Sequence, residues 1–210
     1  MNLLTQNSKL KKTSKNLNLR VFNFGIPAYK SASGKLTCPM ADECVEFCYA
    51  KKGAYVWSNV QPAFEKRYQL SKTLEFIDAM NSEIKKKRPE YVRVHDSGDY
   101  YSRSYLAKWI TIANQNPSVK FYSYTNMVDM IKNTNLPDNY DIIFSDSGKQ
   151  KHMINQNADR HTKIFKSKED LLSKGYVDAS DTDLYATKWF NKTNRVVWLE
   201  TNNLQRKREV

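Results

Sequence analysis

The chain's three cysteines, Cys38, Cys44 and Cys48, all fall in one stretch, TCPMADECVEFCYAKKG, at a C-x5-C-x3-C spacing. Thiolates are soft ligands. Three on one loop can hold three corners of a 4Fe-4S cluster or three positions on zinc. A cluster held by three cysteines leaves one iron open to a substrate or cofactor, whereas zinc needs a fourth ligand, for which His95 is the candidate. The odd count leaves a thiol unpaired in any disulfide scheme, and a reducing cytosol favours metal or redox roles over disulfides. Three unligated buried thiols are the plainer alternative, and spacing alone does not separate iron from zinc.

A second group, HDSGDYYS, places His95, Asp96, Ser97, Gly98 and Asp99 in one turn. Gly98 admits a positive φ, so the two carboxylates can turn inward to hold a substrate amine, a ribose hydroxyl or a divalent metal. The plainer reading has Asp99 or Ser102 capping the next helix and Asp96 closing an Asx-turn. Further on, SDSGKQ offers Ser145, Asp146 and Ser147 beside Gly148, without the glycine spacing of a phosphate-binding loop. Tyr122, Tyr124 and Thr125 end the run KFYSYT. Tyr124 is a candidate to stack on a base, although strand aromatics more often pack in cores.

The pattern of elements gathers these groups. After a polar basic stretch over residues 1–17, read as a flexible arm, NLRVFNFGIP is a first strand stopped by Gly25 and Pro27. One long helix is expected over VQPAFEKRYQLSKTLEFIDAMNSEIKKK, from the spacing of Phe64, Tyr68, Leu70, Leu74, Phe76, Ile77 and Met80, ended by Pro89. YVRV is a second strand, SRSYLAKWITIANQNP a helix, KFYSY a third strand, MVDMIKNT a short helix and YDIIF a fourth strand. TKIF is a fifth strand, SKEDLLSKGY a helix and RVVWLE a sixth strand. This alternation implies parallel βα units with right-handed crossovers. The expectation is one α/β domain over residues 18–210, either a partial β/α barrel or a doubly wound sheet. In either, polar residues just after each strand collect at the C-terminal edge of the sheet.

Composition bounds the function. With 40% hydrophobic residues in 210, the chain can bury one substantial core. Its apolar runs fall far short of the roughly 20 residues a membrane span needs, and MNLLTQNSKLKK lacks the apolar centre of a signal peptide. A soluble cytoplasmic protein is expected. Thirty-four Lys+Arg against 22 Asp+Glu give a net charge of +12, a field that attracts polyanions such as nucleic acid. The surplus is concentrated in SKLKKTSKNLNLR, in RKREV and in KKKR, the last also suited to complementing a helix dipole.

Together, CPMADECVEFCYA, YVRVHDSGDYYSRSYLAKWITIA and KFYSYTN resemble the phage and plasmid family of the gene-product-88-like domain, across residues 20–150. That family is in turn similar to radical S-adenosylmethionine enzymes, whose partial barrel carries three cluster cysteines after its first strand. The resemblance implies a partial (β/α)6 barrel and a 4Fe-4S cluster on Cys38, Cys44 and Cys48. It also implies that Phe47 borders an adenine, that His95–Asp99 is the turn holding a methionine amine, and that Ser145–Ser147 contacts a ribose. The superfamily's usual cysteine spacing is tighter, and its Gly-Gly-Glu turn stands here as Ser97, Gly98 and Asp99. The implied function is a radical S-adenosylmethionine-like iron–sulfur enzyme in the host cytoplasm, served by an electron donor and acting on a nucleic acid or nucleotide. Two other readings are a zinc- or cluster-stabilised nucleic-acid-binding protein without catalysis, and a nuclease using Asp96, Asp99 and Asp146 as metal ligands, which leaves the cysteines unexplained.

Overall fold

A computed structural model describes residues 2–165 and 167–197. Seven strands form one all-parallel sheet: β1 (Val21–Phe24), β2 (Tyr91–Val94), β3 (Lys120–Thr125), β4 (Tyr140–Ser145), β5 (His161–Lys163), β6 (Val177–Asp178) and β7 (Arg195–Val197). Their spatial order is β1-β2-β3-β4-β5-β7-β6. The α/β class expected from the sequence is present. Through β5 the order follows the chain without reversing, so crossovers of one hand stack their helices on one face. The reversal typical of a doubly wound sheet is missing from this run. It occurs only where β7 inserts between β5 and β6.

Alternation along each strand divides the core between two faces. On the outer face, Phe24, Val92, Val94, Phe121 and Phe144 meet Phe76, Met80 and Ile84 of helix α4 (Glu75–Lys87), and Leu106, Trp109 and Ile112 of α5 (Arg103–Gln115). Helices α2 (Cys44–Phe47) and α3 (Gln61–Ser71) precede these, and α6 (Val128–Lys132) and α7 (Lys168–Ser173) follow. On the inner face, Val21, Tyr91, Tyr122 and Ile143 are covered by Leu10 and by Leu184 and Ala186 of the 3₁₀ turn Asp183–Ala186. Among the described residues no helix is long and apolar enough to cross a membrane.

Three expectations change. Residues 2–17 do not form a flexible arm: Ser8–Leu17 is helix α1, N-capped by Asn7, whose side chain accepts from Leu10 N at 2.9 Å. Leu3, Leu4 and Leu10 are buried, and Thr5 exchanges two backbone hydrogen bonds with Asn23 of β1. Charge dominates this segment's composition, but its few leucines find apolar partners only once β1 and α4 are in place. The long helix is in fact two, α3 and α4. Ser71 and Thr73 donate back to Tyr68 O and Leu70 O, and Lys108 Nζ takes up Ser71 O and Thr73 O, so the carbonyls freed at the break are satisfied. The two-residue β6 carries no periodic signal and was not expected. Of RVVWLE, only Arg195–Val197 is described. The remainder of that strand and the basic RKREV lie outside the described residues.

Candidate functional site

The cysteines follow β1: Cys44 opens α2, and Cys48 lies between α2 and the 3₁₀ turn Tyr49–Lys51. Three neighbouring strand ends hold this loop. After β2, Asp99 N donates to Thr37 O at 2.9 Å, beside Cys38, while Asp96 N and Ile26 N exchange bonds with Phe24 O and Ser97 O. After β3, Asn126 Nδ2 donates to Cys44 Sγ at 3.8 Å. After β4, Gly148 pairs with Ala41, and Lys149 N donates to Met40 O at 2.9 Å. Gly148 must be glycine for close approach, because a Cβ there would lie 2.4 Å from Asn126 Oδ1. Gly98, at φ 85°, makes the turn that returns Asp99 to the loop.

These loops enclose a cavity of about 410 Å³, within the range of roughly 300–1,000 Å³ typical of small-molecule sites. All three cysteines line it, as do the turn His95–Asp99, Tyr124 and the turn Ser145–Ser147. The structure thus brings together every expected site residue except Phe47, whose side chain lies outside the described part. The three thiols are free and partly buried. Burial, then the charge of Asp99, pushes the Cys38 thiol up. Burial also raises Cys48, against the backbone N–H of Ala50. Thiols held up in this way shed their protons on binding metal. Among the described residues, no three His, Cys, Asp or Glu side chains close on one point at metal-ligand distance.

The remaining residues take individual roles. His95, with φ 67°, has both ring nitrogens engaged, Nε2 with Tyr105 Oη at 2.9 Å and Nδ1 with Ser123 Oγ at 3.4 Å. Burial, aided by Arg93, lowers its pKa to about 3, so it is a neutral imidazole, and in this structure its two nitrogens face Tyr105 and Ser123. Asp99 accepts from Tyr100 N, Thr125 Oγ1 and Asn126 N at 2.5–2.9 Å, and burial raises its pKa to about 6 despite those bonds. Its carboxylate therefore ties the end of β2 to the end of β3, and Ser102 caps α5. Asp96 accepts from Tyr55 Oη at 3.1 Å, and its carbonyl accepts from Tyr49 Oη. Asp146 pairs with Lys163 of β5 at 3.3 Å. The three acids of the nuclease reading are thus engaged separately.

Several cavity residues were not anticipated. Arg93 of β2 is buried, donates to Asp183 and to Tyr49 Oη, and lies 5.1 Å from the Tyr124 ring centroid. Lys9 of α1 pairs with Asp183 at 2.6 Å. Burial would raise the Asp183 pKa, but the charges of Arg93 and Lys9 outweigh it and hold the acid below its ordinary value. A cation inside the otherwise apolar YVRV was the available signal for Arg93. Asp183 and Asn126 carried none, because their partners are remote in sequence.

The family model of gene product 88 matches residues 1–209. The gene 88 proteins of Mycobacterium phages L5 and D29 are each 28% identical over 117 residues, covering 50% of this chain and 47% of theirs. The chain thus spans about half the length of these relatives. No solved structure matches. The 28% identity reaches only half the chain, but the family model runs from its first residue almost to its last, so the protein belongs to the gene product 88 family.

Proposed function

We propose that the cavity is the site of a radical S-adenosylmethionine-like iron–sulfur enzyme, with Cys38, Cys44 and Cys48 holding a 4Fe-4S cluster. One observation carries this reading: the loop with all three cysteines is bonded to the loops leaving β2, β3 and β4, so free thiols, buried acids and hydroxyls line one cavity. The chain-order sheet through β5 is also the winding of a partial β/α barrel. A bound cluster supplies one-electron reduction of a sulfonium such as S-adenosylmethionine. The chain's own residues do the rest. Asn126 steadies Cys44 through its hydrogen bond, and Asp99 positions Asn126 by accepting from its backbone N–H. The turn Asp96–Ser97 offers polar atoms to the ligand. The net charge of +12 favours a nucleic acid or nucleotide as substrate.

The test is anaerobic purification with iron, sulfide and zinc analysis and visible absorption. Iron and sulfide in matching amounts, lost when any one of Cys38, Cys44 or Cys48 becomes alanine, are expected, together with 5′-deoxyadenosine on reduction with S-adenosylmethionine. Stoichiometric zinc without sulfide would replace this reading by a zinc-stabilised nucleic-acid-binding protein.

A further inference from the structure

The inner-face wall of the cavity carries an incompletely used cation. Arg93 has five N–H donors. One Nη1–H goes to Asp183 and one Nη2–H to Tyr49 Oη at 3.1 Å, while Nε is buried without a hydrogen-bond partner among the described residues. Tyr124 Oη, on the ring beside the guanidinium, is also buried and without a hydrogen-bond partner among the described residues. Both residues line the cavity. Lys9 and Arg93 both pair with Asp183. A buried polar group without a partner is costly, so unpaired buried donors on two residues that line the cavity point to a ligand that accepts from them.

We propose that Arg93 and Tyr124 form an oxyanion subsite, which takes a phosphate or carboxylate group of the bound ligand. The planar guanidinium suits two oxygens of one such group, accepted from Nε–H and a neighbouring Nη–H, with the tyrosine hydroxyl as a further donor. Asp183 and Tyr49, which also line the cavity, hold the guanidinium by its other N–H groups, and Lys9 pairs with Asp183.

The inference rests on reading the cavity as the ligand site and is independent of the cluster. Full-length protein purified without oxygen is titrated with two matched probe pairs. Adenosine 5′-monophosphate against adenosine differs by a phosphate, and S-adenosylhomocysteine against 5′-methylthioadenosine by a carboxylate-bearing amino-acid group. In one pair the member bearing the phosphate or carboxylate should bind on the order of tenfold tighter, and the pair in which Arg93→Lys removes that preference tells phosphate from carboxylate. Arg93→Lys, which keeps the charge but loses the fork, should abolish the preference. Tyr124→Phe, which removes one hydroxyl, should weaken it, with melting of each free variant reporting its fold. No preference in either pair, or a preference undiminished in Tyr124→Phe and in any folded Arg93→Lys, would overturn the proposal. Iron is assayed in the same samples: a preference without iron refutes the cluster alone, and iron without a preference refutes the oxyanion subsite alone.

Discussion

His95 shows how much one side chain's surroundings redefine its chemistry. Its pKa drops from 6.5 to about 3, because burial and the Arg93 charge disfavour the imidazolium. As pH falls through 6.5 the unfolded chain takes up this proton and the folded protein does not, so stability is lost across that window at about 1.4 kcal/mol per pH unit. Asp99 acts in the opposite sense. Its folded pKa of about 6 against an ordinary 3.8 means that the folded state is protonated first and gains stability between those values. The histidine's window is the wider, so the pair together loses stability on acidification. Thermal melts of His95→Gln between pH 7 and pH 4 should therefore show a smaller acid loss than the parent, with metal content unchanged. Equal acid sensitivity would clear His95 of this role, and lost metal would return it to the ligand set.

Helix α1 decides whether the first residues are ballast or structure. Its exposed side carries Lys11, Lys12 and Lys15, while Leu10 is fully buried against Val21 and Tyr91 and Thr13 Oγ1 bonds Thr182 Oγ1 at 3.0 Å. The helix thereby joins β1 to the turn that delivers Asp183 behind Arg93. Leu10→Ala should cost about 3 kcal/mol, within the span for buried leucines that cannot fully repack. For a chain of this size that lowers the melting temperature by roughly 6–12 °C. Differential scanning calorimetry showing an unchanged melting temperature would mean that α1 is dispensable. Removing the whole stretch should unfold the protein, since Leu3 and Leu4, whose N–H groups both donate to Glu83, would go with it.

For the molecule as a whole, charge is the property that reaches furthest into solution. If the basic surface grips phosphates, affinity for a nucleic acid must fall with salt, by a log–log slope of about 0.9 per phosphate neutralised on a duplex. Lys11, Lys12 and Lys15 are exposed and separate from the buried face of α1. Converting all three to glutamine should leave the melting temperature within about 1 °C and flatten that slope by up to about 2.7. Fluorescence anisotropy over a salt series measures both the affinity and the slope. A slope unchanged by the triple variant would place the phosphate contacts elsewhere, and binding indifferent to salt would remove the electrostatic case.

What the sequence alone determined was what neighbours along the chain can decide. YVRV and KFYSYT read as strands because their side chains fit a pleated buried surface, Ser102 as a cap because its hydroxyl sits where α5 opens, and Gly98 as a turn because it tolerates a positive φ. The collection of polar residues at the strand ends followed from parallel winding. Tertiary structure alone decided which of them meet. Arg93 reaches Asp183 across 90 residues, and Asn126 reaches Cys44 across 82. Such contacts depend on strand order and register, which no short pattern encodes. The burial of α1 is of the same kind: two leucines among four lysines carry too little apolar signal to outweigh their charge, until a sheet face is there to receive them. The role of His95 was decided in the same way, because the hydroxyls of Tyr105 and Ser123 claim its nitrogens only after α5 and β3 close over β2.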